Sequence, residues 1–388
     1  MFKPILIGDR TRPKLDYGQY IQFLTSIFFC GMNHGLGMGP QPFLGVFLHA
    51  LGGFAAGSFY IPYKRVRGWA WESYWLVGGF FSWIIAPLTA ALLTCPDLFG
   101  VLKNAPATSL FLSYLFGVLW GIGGLTFGLT MRYLGLSLGY ALALGFCAAF
   151  GTIIPPLATG AASDLIGKIS GQVTFFGIIV CLAGIAVCSQ AGSRKEAELS
   201  TEEKRAVIKE FNFATGLWVA VFSGVMSACM ALAYWKGAPI AETAVKFGTP
   251  PLFKNFPVLV VALWGGFTTN LVWCLILNIK NRSWRDYFRS GKTPLAANYV
   301  FSALAGITWY FQFFFYSMGT TKMGKYDFSS WTIHMAFIIV FSNLWGLAFQ
   351  EWKGTGRRTR RLVIAGIIVL VVSTLIVGAG NYIASLKK

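Results

Sequence analysis

Apolar residues fall in long blocks along most of this chain. From Phe43 onward, stretches of about twenty mostly apolar residues alternate with short segments carrying Pro, Gly and charge. A helix of that length crosses the hydrocarbon of a bilayer. Dividing the chain at its breakers and charges predicts ten spans, at 43–62, 71–93, 108–131, 136–159, 173–191, 214–235, 256–278, 296–319, 328–349 and 361–383. In lipid every backbone N–H and C=O must be satisfied inside the segment, which selects helices. The pattern therefore predicts an all-α polytopic membrane protein with little soluble domain.

The longest break, 192–213, is rich in charge of both signs (Arg194, Lys195, Glu196, Glu198, Glu202, Glu203, Lys204, Arg205, Lys209, Glu210). It reads as a charged cytoplasmic linker, a short amphipathic surface helix joining a first half, 43–191, to a second, 214–385. Residues 1–37 stand apart. A basic start (Lys3, Arg10, Arg12, Lys14) precedes a short apolar segment from Tyr20 to Asn33. Two readings remain open: a signal-like or short anchoring helix, or an extension upstream of a start at Met38.

Composition changes this picture in one respect. Only 12% of the 388 residues are charged and the mean hydropathy is +0.61, against about 25% charged in soluble domains. The net charge of +18 would suggest nucleic acid in a soluble protein. Here no basic face is interleaved with aromatics outside the membrane, so nucleic-acid binding is excluded. The Lys and Arg sit in loops instead. One alternating set of loops (after the first, third, fifth, seventh and ninth spans) carries nineteen of them and the other set nine. The richer set belongs in the cytoplasm, which starts the first span outside. Seven scattered cysteines without a C-x-x-C pair support neither a zinc site nor a disulfide framework. No metal and no cofactor is expected.

Faint internal echoes accompany the two halves. Gly45, Gly53 and Tyr63 recur at one constant spacing as Gly216, Gly224 and Tyr234; Trp120 and Gly135 recur at another as Trp309 and Gly324. Five spans per half is odd, so the halves must have opposite topology, as in inverted-repeat transporters. The pairs Gly53/Gly57, Gly117/Gly121, Gly124/Gly128 and Gly135/Gly139 are G-x-x-x-G steps that let helices approach closely.

Several long strings identify a family: "FYIPYKRVRGWAWESYW" at 59–75, "GGFFSWIIAP" at 78–87, "LFGVLWGIGGLTFGLTMRYLGLSLG" at 115–139, "TWYFQFFFYSMG" at 308–319, "YDFSSWTIHMAF" at 326–337 and "EWKGTGRR" at 351–358. Over 43–385 the chain resembles the L-rhamnose–proton symporter family of the drug/metabolite transporter superfamily. The resemblance implies ten helices in two inverted five-helix repeats, and proton-driven uptake of L-rhamnose or a related 6-deoxyhexose across the cell inner membrane. Residues 1–37 depart from the family pattern. No oligomeric state is implied.

No family motif assigns sugar or proton to particular residues, so the candidates rest on physical grounds. Ionisable groups inside a membrane are costly and functional by default. His49, Glu72, Asp327 and His334 are the proton-coupling candidates, with Arg132 a simple inside anchor. Asp327, Trp331 and His334 are spaced to share one helix face, placing a carboxylate, an aromatic plate and an imidazole together. His49 lies on a small-residue face with Gly53, Ala56 and Tyr60. Glu72 opens the second span near its cytoplasmic edge, where a gate ion pair or a helix N-terminal charge competes with a proton role. A sugar needs hydroxyl partners and an apolar plate. Trp309, Gln312 and Tyr316 share a face of the eighth span, and a buried Gln needs a partner. Trp120 offers a facing wall and Asn270 another rare polar group, although most aromatics in such a chain simply pack. Transport leads: a symporter first, and an exporter of drugs or metabolites as the alternative. Absence of H-E-x-x-H and Walker signatures argues against a metalloenzyme or an ATP-driven pump.

Overall fold

Proline at the first turn sets where several helices begin, because its missing N–H costs nothing there. Pro42, Pro239 and Pro257 each occupy such a position. At the other ends, Gly324 (φ 77°) terminates a long helix in a backbone conformation that side chains disfavour. The computed structural model describes residues 39–134, 136–158, 160, 162–198, 213–289 and 294–386. The extension at 1–37 and most of the charged linker lie outside them, as does the side chain of Arg132.

The long helices are α1 (Pro42–Tyr63) and α2 (Trp71–Thr94), then α3 (Ala107–Leu134), α4 (Leu136–Ala158), α5 (Ile169–Glu198), α6 (Phe213–Lys236), α7 (Phe256–Lys280), α8 (Leu295–Met323), α9 (Ser330–Ala348) and α10 (Arg357–Leu386). Short helices at Leu98–Asn104, Ala162–Gly167 and Ala238–Lys246 lie in the connections. Among the described residues, eight segments are long and apolar enough to cross a membrane. One of them, Leu295–Ala348, contains both α8 and α9, and Leu142–Ala158 within α4 is a shorter apolar run.

The principal packing partners are α1 with α8 and α9, α6 with α3 and α4, α2 with α8, α7 with α3, and α5 with α10. Small residues set these approaches. Gly53 and Gly57 of α1 lie against Phe337 and Phe341 of α9, and Gly117 and Gly121 of α3 against Ala262, Gly266 and Thr269 of α7. Gly124 and Gly128 have open space where a side chain would stand, so that step packs nothing. Along α5 and α10, both helices contribute glycine: Gly177 and Gly184 of α5 face Val377 and Leu370, and outside them Gly366 and Gly380 of α10 face Cys188 and Thr174. The central core gathers Trp83, Cys147, Met230, Leu263, Tyr310, Phe313, Tyr316 and Trp331.

Two local departures bear on the site. The helical ladder of α2 loosens into a π-turn at Phe81–Ile85, a feature frequent at functional sites. The segment Gly324–Ser329 forms a 3₁₀ turn with Tyr326 off helical geometry (φ −105°, ψ 44°). Asp327 therefore precedes α9 and does not share its face with Trp331 and His334.

Candidate functional site

A cavity of about 250 Å³ lies at the heart of the helices and is walled mainly by indole rings: Trp75, Trp83, Trp120, Trp309 and Trp331. Gln312 and Asn270 supply its polar side chains, with Ser227 of α6, and Ala56 and Tyr60 of α1 complete one side. The rings brace one another. Trp83 meets Trp309 at 5.6 Å and Trp120 at 6.2 Å, both at 88°, the edge-to-face arrangement aromatic quadrupoles favour. Trp331 is fixed by an indole N–H donated to the Cys147 carbonyl at 3.0 Å. Trp75 donates to the Asn270 side-chain oxygen at 3.0 Å, and the Asn270 amide in turn donates to the Gly266 carbonyl. Asn270 thus orients an aromatic wall. Gln312 is 5% exposed and its side-chain nitrogen has no protein partner, a costly state for a buried amide unless something else bonds it.

A second cavity of about 390 Å³ is bounded by Tyr234, Glu242, Lys254, Asn255, Tyr316 and Asp327. Between the two stand Tyr316 and Trp331, perpendicular at 5.8 Å. Tyr234 closes against Tyr316 at 5.2 Å and hydrogen-bonds Ser317.

Two histidines flank that partition. His49 lies 5.3 Å and His334 5.1 Å from the Tyr316 ring, and the imidazoles are 6.3 Å apart. Both are completely buried, and none of their four ring nitrogens has a hydrogen-bond partner. Glycine makes the room: a Cβ at Gly319 would stand 2.8 Å from the His49 ring, and one at Gly52 would stand 3.3 Å from His334.

The structure thus brings Gln312, Trp309, Trp120, Asn270 and Trp331 to one cavity and Tyr316 to its partition, with His49 and His334 behind it and Asp327 in the second cavity. Glu72 lies elsewhere. Its carboxylate accepts hydrogen bonds from Ser283 (2.6 Å) and Asn281 (2.9 Å), while Ser73 and the Ala70 N–H bond Asp286. These bonds tie the start of α2 to the segment after α7. Lys64 pairs with Glu351 at 3.9 Å instead. Sequence reasoning missed Trp75, Trp83, Ser227 and Tyr234. Trp75 belongs to the dense W-A-W-E-S-Y-W string, the one local hint available.

Apolar helices of membrane-spanning length around an aromatic and polar cavity define a multi-pass membrane protein of the transporter class. The family model described as L-rhamnose-proton symport protein (RhaT) matches residues 38–383, and the chain belongs to that family. It is 39% identical over 340 residues to the L-rhamnose-proton symporter of Cronobacter sakazakii, covering 87% of this chain and 97% of that protein. Against the Klebsiella pneumoniae L-rhamnose-proton symporter it is 37% identical over 352 residues, 90% and 99% of the two chains. The Citrobacter koseri protein of the same name is 37% identical over 340 residues, 87% and 97%.

Proposed function

We propose that this protein takes up L-rhamnose, or a closely related 6-deoxyhexose, together with protons across the cell inner membrane by alternating access. The observation that carries the proton half is the His49–Tyr316–His334 cluster, buried between two cavities. Family membership carries the sugar half.

The architecture is ten spans in two inverted repeats, 43–191 and 214–385. The pairings support it, because exchanging each helix of one half for its counterpart in the other reproduces them. The pair α1–α8 becomes α6–α3, α1–α9 becomes α6–α4, α2–α8 becomes α7–α3, and α5–α10 maps onto itself. Single contacts follow the same rule. Gly53 rests on Phe337 and its counterpart Gly224 on Phe146; Gly45 rests on Met323 and its counterpart Gly216 on Leu134. With the Lys- and Arg-rich loops in the cytoplasm, the cavity containing Asp327 and Lys254 faces outside.

The sugar occupies the indole-walled cavity, its C–H face against Trp309, Trp120 or Trp331 and a hydroxyl accepting from the Gln312 amide. The proton enters from the outer cavity at Asp327 and passes by Tyr316 to the imidazoles. Two charged imidazoles 6.3 Å apart would repel by about 3 kcal/mol at an effective dielectric of about 20, so the pair holds one proton at a time and one proton accompanies each sugar. Gln312 and Tyr316 are one turn apart on α8, which lets sugar binding and protonation bias the same helix.

L-rhamnose uptake into sealed vesicles, with and without an inward proton gradient, tests the proposal. Gradient-dependent accumulation with external alkalinisation, one proton per sugar, is expected. Equilibration without accumulation would remove the proton from the scheme, and absence of flux would remove the sugar.

A further inference from the structure

We infer that the π-turn of α2 builds a hydroxyl-reading subsite, in which Ser82 and Trp83 bond one secondary hydroxyl of the sugar. The inference rests on the sugar reading above. A small niche of about 10 Å³, bounded by Gly78, Gly79, Ser82, Trp83, Gly306 and Trp309, adjoins the central cavity. Phe59, Trp75, Trp83 and Trp309 line both spaces, which sets the niche directly against the larger cavity. Its volume suits one water-sized oxygen and is too small for a hydroxymethyl group.

Two polar atoms of residues lining the niche lack partners. Ser82 is 2% and Trp83 3% exposed, and neither the Ser82 hydroxyl nor the Trp83 indole nitrogen has a hydrogen-bond partner. Several hydroxyls on the long helices close on themselves, as Ser58, Thr94 and Ser189 do by bonding the carbonyl four residues back, whereas Ser302 and Ser330 stay unbonded away from the niche. Ser82, at the π-turn, does not close on itself. Leaving two such groups buried and unbonded is costly, and a sugar hydroxyl satisfies both, accepting from the indole N–H and exchanging a hydrogen bond with Ser82. Trp83 is held in place by Trp75, Trp120 and Trp309. Glycine is required around it, since a Cβ at Gly79 would strike its ring and one at Gly306 the Gly78 carbonyl. A methyl group would fit by size but would leave both polar atoms unbonded, so the niche selects a ring hydroxyl over the C6 methyl.

The test is the half-saturation for transport of L-rhamnose and of its 2-, 3- and 4-deoxy analogues by wild type, Ser82→Ala and Trp83→Phe. One analogue should transport into wild type with half-saturation raised about 3- to 10-fold. Trp83→Phe and Ser82→Ala should raise that of L-rhamnose by a similar factor while adding little for that same analogue. Equal effects on all four sugars, or no effect from either substitution, would overturn the subsite. Ser82→Ala removes one oxygen only and guards against a folding defect at Trp83. If wild type moves L-rhamnose without this coupling, the subsite alone fails; if it moves none, the sugar reading fails and the subsite with it.

Discussion

Where α1 crosses α8 and α9, Gly53 rests on Phe337 and Gly45 on Met323; where α6 crosses α3 and α4, Gly224 rests on Phe146 and Gly216 on Leu134. The steric plan is shared, but the chemistry is not. In the register set by these glycines, His49 corresponds to Ala220, His334 to Ala143, Gln312 to Gly123 and Tyr316 to Phe127. Where Gly52 faces the Gln312 carbonyl, Ser223 bonds the Gly123 carbonyl instead. Packing constrains both corners equally, so a group present in only one of them owes its presence to something other than packing. That points to the α1–α8–α9 corner for proton coupling, while its counterpart contributes Trp120 and Ser227 to the cavity wall.

The comparison breaks most visibly through the histidines. His334→Ala should abolish gradient-driven accumulation, bringing the internal-to-external sugar ratio to unity, whereas Ala220→Ser, at the buried counterpart of His49, should leave it within about twofold, because a helical serine can bond the carbonyl four residues back as Ser58 and Ser189 do. Uptake by vesicles carrying each variant decides it, and retained accumulation in His334→Ala would move coupling elsewhere. Gly53→Leu and Gly224→Leu should both lose folded protein, because overpacking costs about 1–3 kcal/mol or more; thermal melting in detergent should show comparable losses. Unequal losses would mean that the corners do not share one steric plan. Gln312→Ala should raise the half-saturation for L-rhamnose about tenfold by removing a buried hydrogen bond, and an unaltered value would place the sugar elsewhere.

The smallest effect lies outside the membrane, at Glu198. Its carboxylate accepts from the Thr359 hydroxyl (2.6 Å) and the Gly356 N–H (2.7 Å), and these bonds hold its carboxyl below the usual carboxylate range. A depressed folded-state pKa contributes stability above the unfolded value, lost as pH falls through the folded one. Glu198→Gln should therefore lower the melting temperature slightly at pH 7, with the difference vanishing below about pH 4. A pH-independent difference would assign the effect to the bonds alone.

Much of the fold was legible because bilayer thickness and helical rise leave few choices. The predicted span 256–278 corresponds to Phe256–Lys280, and 296–319 to Leu295–Met323. The last helix begins four residues before its predicted start, at Arg357, since a charged first turn extends into the headgroup region without cost to the apolar run. Residues on one helix were also legible as a set: Trp309 and Gln312 do share a cavity. Helical spacing misled at Asp327, because the pattern that places it with His334 assumes a continuous helix and the chain turns before Ser330. The pairing of His49 with His334 has no local signature at all, being made by tertiary packing of α1 on α9. Glu72 shows the reverse limit: an acid in a helix's first turn looks the same in sequence whether it titrates or ties down a loop.

The glycines shared between α5 and α10 have a consequence for motion. With backbone pressed on side chain at four levels, sliding of one helix along the other would bring these groups into collision, so in the alternating access proposed above this pair would serve as an axle. On that proposal, cross-linking the pair should leave cycling intact.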